Sequence, residues 1–345
     1  MSLFFHSVVK AQADSSVKVY SKFDFIPGEK VVFFDDFNEN TGDLPAKWNT
    51  NTSGEIVTTD IAPGKWFQLS GNGFFIPETT GNFPENFTAE FDFIPTNKQD
   101  DVQAIGFGFY IVSGNSKDPM EGGAIPGKAG MKLNVDGYTS YYSSYADGEY
   151  KLNGNFDYQL VKNKVYRLSV WIQKQRIKMY INDKKIFDVP KGMPEGFAYN
   201  ILRFEMGGEA APLISNFRVA VGLPDLRNKL LTDGKLVSYG IYFDVNKATV
   251  KPESYATLKE LAQVLKDNPT VKISIVGHTD SDGNDAENLD LSKRRSIAVK
   301  NELVRIFGIE SSRIETDGKG EMQPVTTNNS ASDKAKNRRV EFIKI

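Results

Sequence analysis

The sequence predicts a multidomain protein in which an all-β sandwich precedes an α/β domain, and three observations carry that prediction. From residue 31 to 221, apolar and polar residues alternate with period two, broken by clusters of Gly, Asn, Asp and Pro. A stretch containing Pro224 and the charged run Asp225 to Lys229 follows. Beyond it, helical and extended segments alternate to the C-terminus. The expected divisions are a leader and lead-in over 1–30, the sandwich over 31–221, a linker over 222–236 and the α/β domain over 237–345.

In the first unit, Phe87, Ala89, Phe91 and Phe93 share one face of a strand, and Thr88, Glu90 and Asp92 share the other. Tyr166, Leu168, Val170 and Ile172 oppose Arg167, Ser169 and Trp171 in the same way. Further strands are expected at Ala104–Val112, Arg176–Ile181, Lys185–Val189, Ile201–Met206 and Leu213–Ala220. Many half-buried strands without convincing helices indicate a jelly-roll sandwich. The run from Tyr166 through Tyr180-Ile181-Asn182-Asp183 to Phe187-Asp188-Val189 resembles the concanavalin-like and laminin-G-like sandwiches. Those folds host lectins, hydrolases and adhesion modules, so the resemblance leaves the ligand open.

In the second unit, Lys251-Pro252-Glu253 starts a helix with apolar Leu258, Leu261, Ala262 and Leu265, and Asn268-Pro269 ends it. A strand is expected from Val271 to Val276. A helix begins after Gly283 and reaches Phe307, where Gly308 supplies a stop, and Arg339 to Ile345 is the last strand. Between strand and second helix lies Gly277-His278-Thr279-Asp280-Ser281-Asp282-Gly283, followed by Asn288-x-x-Leu291-Ser292-x-x-Arg295. An Asp leaving a strand and an Arg inside the next helix can converge on one small zwitterion. The carboxylate takes its ammonium, and the guanidinium takes its carboxylate in a two-pronged contact.

Those residues resemble the OmpA-like peptidoglycan-binding domain of bacterial envelopes. The similarity extends to Tyr242-Phe243-Asp244-x-Asn246, Arg313-Ile314, Gly318-x-Gly320-Glu321, Pro324 and Asn337-Arg338-Arg339-Val340-Glu341. The resemblance implies a grip on meso-diaminopimelate in the peptide stem of peptidoglycan. By matching position, Asp280 would hold the ligand's ammonium and Arg295 its carboxylate, with Asn246, Asn288 and Arg338 lining the pocket. Asp282 stands where relatives often carry a hydroxyl residue, which adds negative charge at that edge. His278 is expected to orient the turn that presents Asp280. A structural Asp280–Arg295 ion pair that binds nothing is the plainer alternative.

Composition sets the bounds. The chain has 345 residues, a net charge of −2, no Cys and two His. That length suffices for two cores, and the charge gives no case for nucleic acid or an anionic membrane surface. Disulfides, thiolate metal sites and acylation at cysteine are excluded, and a multi-histidine metal centre is not expected. No calcium-loop motif and no cofactor motif is present. No run reaches the roughly 18 apolar residues of a membrane-spanning helix. Residues 2–9 followed by Ala11-Gln12-Ala13 read like the tail of a secretory signal.

The sandwich offers weaker candidates. If Lys174-Gln175 forms a two-residue turn, Trp171 lies opposite Lys178 and diagonal to Tyr180 on the polar face. Trp171 and Tyr180, beside Arg167, Ser169 and Asn182, are therefore candidates for stacking on a glycan; a Trp–Lys cation–π contact explains them as well. The run Tyr138 to Tyr145 is rich in recognition residues and also fits a sandwich loop or edge strand. Glu90 and Asp92 begin a glycoside-cleaving pattern, but Ile94 stands where jelly-roll hydrolases carry a third acid, and a solvated face explains the pair more simply.

The expected protein is a non-enzymatic, exported envelope component, periplasmic and associated with the outer membrane. It binds peptidoglycan noncovalently and leaves the sandwich for a glycan or an envelope protein. The alternative is a glycan-binding or polysaccharide-cleaving jelly roll anchored to the wall. A transmembrane β-barrel is disfavoured, because the strands carry charged residues opposite a single apolar face.

Overall fold

The computed structural model describes residues 23–97, 105–115, 125–137, 139–223 and 225–345. The leader with Ala11-Gln12-Ala13, and Ala104, Tyr138 and Pro224, lie outside the described residues. The first unit comprises β1 (Lys30–Asp35), β2 (Trp48–Thr50), β3 (Gly54–Thr58), β4 (Lys65–Leu69), β5 (Gly73–Pro77), β6 (Asn86–Ile94), β7 (Phe107–Ser113) and β8 (Ala129–Val135). It continues with β9 (Ser140–Ala146), β10 (Glu149–Phe156), β11 (Tyr166–Gln173), β12 (Arg176–Ile181), β13 (Lys184–Val189), β14 (Ile201–Met206) and β15 (Leu213–Val221). One sheet runs β13-β12-β11-β6-β15-β4-β3, with β1 also on β15; the other runs β10-β9-β8-β7-β14-β5-β2.

The two sheets meet in an aromatic-rich core. Phe91 lies 5.1 Å from Phe204 and 5.7 Å from Phe217, ring centre to ring centre. Phe87, Ala89, Phe93, Leu168, Val170 and Ile172 join them, as the alternation predicts. Each fully buried Phe contributes about 1.5–3 kcal/mol, so a one-residue slip that turned these rings outward would be prohibitive. The turn at Lys174 has φ 57°, and Trp171 pairs with Lys178. The described part of the Tyr/Ser-rich run is not a loop: it is β9, an interior strand between β8 and β10. Its Tyr145 is buried and donates its hydroxyl to the Pro126 carbonyl at 2.9 Å.

The second unit contains α1 (Leu226–Leu231), β16 (Lys235–Ser238), α2 (Tyr255–Asp267), β17 (Ile273–His278), α3 (Asp285–Arg305), β18 (Ile314–Gly320), α4 (Ala331–Asn337) and β19 (Val340–Lys344). Its sheet runs β16-β19-β17-β18, with β17 parallel to β18 and antiparallel to β19. Leu258, Leu261 and Leu265 of α2, Val299 and Leu303 of α3, and Ile273 and Ile275 of β17 form its core. The stretch read as a linker differs from expectation. Asp225 caps α1 by accepting from the Asn228 N–H at 3.0 Å, and Leu226 and Leu230 enter the same core. Six residues with two buried leucines are too short to show a helical period among charges.

The polar face of the first sheet is likewise not solvated; the α/β unit packs on it. Glu90 is 0% exposed and accepts from Arg167 Nη2 at 2.7 Å, Arg218 Nε at 2.6 Å and the Tyr242 hydroxyl at 2.7 Å. Arg218 also donates to the Tyr239 carbonyl at 3.0 Å, and the Arg167 guanidinium lies 4.6 Å from the Tyr242 ring centre. Burial alone would raise the Glu90 pKa, but the Arg218 and Arg167 charges outweigh it and hold the carboxyl below its usual range. Asp92 pairs with Arg167 at 2.8 Å and accepts from Asn216. Both acids are thus neutralised, and Glu90, through the Tyr242 hydroxyl, is a joint between the units. A second contact joins Val31 and Phe34 of β1 to Ala335 of α4, with Tyr239 and Ala331 alongside.

Candidate functional site

The site forms where β17 ends. Its last residue, His278, donates its N–H to the Arg339 carbonyl, and Thr279 donates to the Gly320 carbonyl, both at 3.0 Å. These bonds continue the sheet by one residue on each side and aim Asp280 out of it. Helix α3 begins beside this point, capped by Asn284, which accepts from Ala286 N–H at 2.9 Å. The helix then crosses β17 and β18 at very short range. A Cβ on Gly277 would sit 2.3 Å from the Ser292 carbonyl oxygen, and one on Gly318 2.4 Å from the Lys293 nitrogen. Ser292 seals this crossing by accepting from Gly320 N–H at 2.9 Å and donating to Leu289 O at 2.8 Å. That close approach leaves no room for a side chain at Gly277 or Gly318 and puts Ser292 within reach of Gly320.

Asp280 and Arg295 do not pair with each other within 4.0 Å. Asp280, 8% exposed, accepts from Arg338 Nη1 at 2.5 Å and from the Asp282 N–H at 3.1 Å. Arg295 donates to the Lys247 carbonyl at 3.0 Å and the Asp244 carbonyl at 3.3 Å, and lies 4.8 Å from the Phe243 ring centre. Burial lowers the Arg295 pKa to about 10; the Asp280 charge raises it and the Arg338 charge lowers it. Even there the guanidinium stays charged near neutral pH. The plainer reading of a direct strand-to-helix ion pair therefore does not describe these residues. What the site holds is a half-buried cation seated on neutral carbonyls, near a carboxylate whose partner is a third residue.

The other expected residues fall around this centre. Asn288 is buried and donates to the Asp280 carbonyl at 3.4 Å, the Asp282 carbonyl at 3.0 Å and Glu321 Oε2 at 2.7 Å. It holds the turn, and its partner Glu321 was signalled only by its place in the Gly318-x-Gly320-Glu321 block. Asn246 is exposed, at φ 58°, in the loop whose carbonyls at 244 and 247 seat Arg295. Asp282 is exposed and paired with Lys334 at 2.7 Å, so its added charge is neutralised locally. His278 is buried, with Nε2 3.4 Å from Glu341. Burial would raise the Glu341 carboxyl, but His278, Lys235 and Arg339 together lower it to about 2. Phe243 belonged to the Tyr242-Phe243-Asp244-x-Asn246 block, but its place against Arg295 was not read from the sequence, because the two are far apart along the chain.

The candidate glycan platform on the sandwich is overturned. Tyr180 is 0% exposed, covered by Phe23 and Phe25 with ring centres 5.4 Å away in both cases. Phe25 also packs edge-on to Trp171 at 6.3 Å, and Lys178 Nζ lies 4.8 Å from the Trp171 ring centre. Asp24 clamps the cover, pairing with Lys178 at 2.8 Å and Lys185 at 2.9 Å and accepting from the Tyr180 hydroxyl at 3.0 Å. Burial would raise Asp24, yet the two lysines outweigh it and bring its pKa to about 2. A polar strand face invites a ligand only if nothing else in the chain reaches it, and here the lead-in does. A separate cleft of about 500 Å³, lined by Asn82, Ser113, Lys128, Phe197 and Asn200, opens elsewhere on the sandwich. Among the described residues no cluster of His, Cys, Asp or Glu is placed to hold a metal, and no helix is long and apolar enough to cross a membrane.

Residues 242–338 match the OmpA family. Over 105 residues the chain is 45% identical to outer membrane porin F of Pseudomonas aeruginosa, covering 30% of this chain and 30% of that protein. The chain thus spans under a third of that relative's length. Among solved structures, the peptidoglycan-associated lipoprotein from Burkholderia pseudomallei is 31% identical, covering 30% of this chain and 88% of that one with a TM-score of 0.29. A carbohydrate binding module from Bacillus subtilis is 20% identical, covering 50% of this chain and 95% of that one with a TM-score of 0.36. This chain joins a β-sandwich to a C-terminal OmpA-like domain.

Proposed function

We propose that this protein is a non-enzymatic component of the bacterial envelope that holds peptidoglycan noncovalently. The ligand is the diaminopimelate residue of the stem peptide: Asp280 takes its side-chain ammonium and Arg295 its side-chain carboxylate. Asn288 positions the turn, and Asn246 and Arg338 border the opening. The protein is exported and associated with the outer membrane on its periplasmic side, in keeping with its outer-membrane relatives. The sandwich is left to engage a second envelope partner or glycan.

One observation carries this reading: Arg295 is fixed by two backbone carbonyls and a ring, with no carboxylate within 4.0 Å among the described residues. A cation held in that way, half buried beside an acid, is matched by a ligand bearing both charges. Purified sacculi test it in a pull-down, with free meso-diaminopimelate as competitor. Truncating one charged partner of such a contact costs about 2–5 kcal/mol, which is at least tens-fold in affinity. Asp280→Ala and Arg295→Ala are each expected to lose retention on that scale, and parent-like binding by both would reject the assignment.

A further inference from the structure

The rim of the proposed ligand site is not made by the OmpA-like domain alone. Arg338, which occupies Asp280, lies between two carboxylates. Its Nη1 is 2.5 Å from Asp280 Oδ2, and its Nη2 is 3.7 Å from Asp36 Oδ2, on the sandwich. Its guanidinium lies 5.3 Å from the ring centre of Phe34, two residues before Asp36. The other carboxylate oxygen of Asp36, Oδ1, is buried and takes no hydrogen bond among the described residues. A buried, unsatisfied carboxylate oxygen normally costs about 1–3 kcal/mol, so its retention beside a binding site asks for a reason.

Asp36 is also held firmly. On one side, Asp35 accepts from the Phe37 N–H at 2.9 Å and the Trp48 indole N–H at 3.0 Å. On the other, Phe37 is 0% exposed and has φ 57°, an unusual conformation for a large side chain. Phe34 packs on α4, whose C-terminal end carries Arg338. The acid is therefore presented to Arg338 by a rigid turn rather than by a wandering loop.

We propose that Asp36 is a positioning residue of the peptidoglycan site, the acceptor to which Arg338 turns when a ligand ammonium claims Asp280. This rests on the function proposed above. With Asp280 free of ligand, Arg338 neutralises it. An arriving ammonium cannot share that carboxylate comfortably with a guanidinium, since like charges at contact distance repel. Asp36 offers Arg338 a second carboxylate without leaving the Phe34 ring, and the move satisfies the idle Oδ1. The sandwich thereby sets how readily the OmpA-like domain opens to an ammonium-bearing ligand, and it does so only while the two units stay docked.

The test is calorimetric titration of the full chain with meso-diaminopimelate and with pimelate, the same seven-carbon diacid without an ammonium. Asp36→Asn keeps the shape and removes the charge. It is expected to weaken meso-diaminopimelate roughly two- to fivefold, the upper range of a partly exposed charge contact, and to leave pimelate unchanged. In an Arg338→Gln background the same change is expected to have no effect, because no cation remains to be relocated. Asp36→Glu is expected to restore part of the affinity. Equal weakening of both ligands, an undiminished loss in the Arg338→Gln background, or parent-like binding by Asp36→Asn would each overturn the proposal while the function stands. A parent chain that binds neither ligand would sink the function and this inference together.

Discussion

Glu90 is where the docking of the two units is most exposed to test. Glu90→Gln preserves shape and removes the charge that two buried guanidiniums share. Arg167 would keep Asp92 at 2.8 Å, whereas Arg218 would keep only the Tyr239 carbonyl at 3.0 Å and the Tyr242 hydroxyl at 2.8 Å. One buried cation is then left uncompensated rather than two. Breaking a buried pair costs about 3–5 kcal/mol, and the surviving Asp92 contact argues for the lower end. About 3 kcal/mol is roughly a hundredfold in the folding equilibrium. Urea titration at pH 7 is the assay. Its fluorescence reports the sandwich alone, because all three tryptophans, Trp48, Trp66 and Trp171, lie there. Far-UV circular dichroism adds the helices of the second unit. The Glu90 carboxyl is held below its usual range, so the stability it contributes is complete above about pH 4.3, the unfolded value, and is lost as pH falls through the folded one. The deficit of the variant should therefore shrink on acidification below that point. A loss under about 1 kcal/mol at pH 7 would mean that the network is solvated and that the units are not joined as described.

Other outcomes follow from the same geometry. Gly277→Ala would drive a methyl into the Ser292 carbonyl at 2.3 Å. It is expected to cost about 1–3 kcal/mol in thermal unfolding and to reduce sacculus retention by moving Arg295 away from Asp280. Retention at the parent level would show that α3 tolerates the displacement. Glu341→Gln removes the buried negative charge that pairs with Lys235 at 2.9 Å and Arg339 at 2.9 Å, with His278 alongside, and should cost about 1.5–3 kcal/mol at pH 7. The Glu341 carboxyl has its pKa lowered to about 2, so its contribution is full above about pH 4.3 and lost as pH falls toward 2. Denaturant melts of parent and variant should converge over that interval; a constant gap would place the charge elsewhere.

How much of the site was legible depended on how local its causes are. Asp280 and Arg295 could be read because β17, its turn and α3 are consecutive, whereas Asn288 was expected only through the family resemblance. Arg338 was legible as a member of a pattern, but not as the partner of Asp280, since the two are 58 residues apart. Asp36 left no trace, because nothing in an isolated strand end tells which surface it will meet. Trp171 left two readings open for the same reason, and the cation–π contact with Lys178 is the one present, under a cover formed by Asp24 and Phe25.

By itself, the sequence determined the two fold types, the inward faces of β6 and β11, and the chemistry offered at residues 280 and 295. Those are set by side-chain period and by neighbours within a turn. Tertiary structure alone decided that Glu90 is a buried joint rather than a solvated acid, that α1 belongs to the second core, and that the sandwich carboxylate Asp36 stands 3.7 Å from Arg338. Each depends on which surfaces lose water against each other, and that free energy is a property of the docked pair, not of either strand.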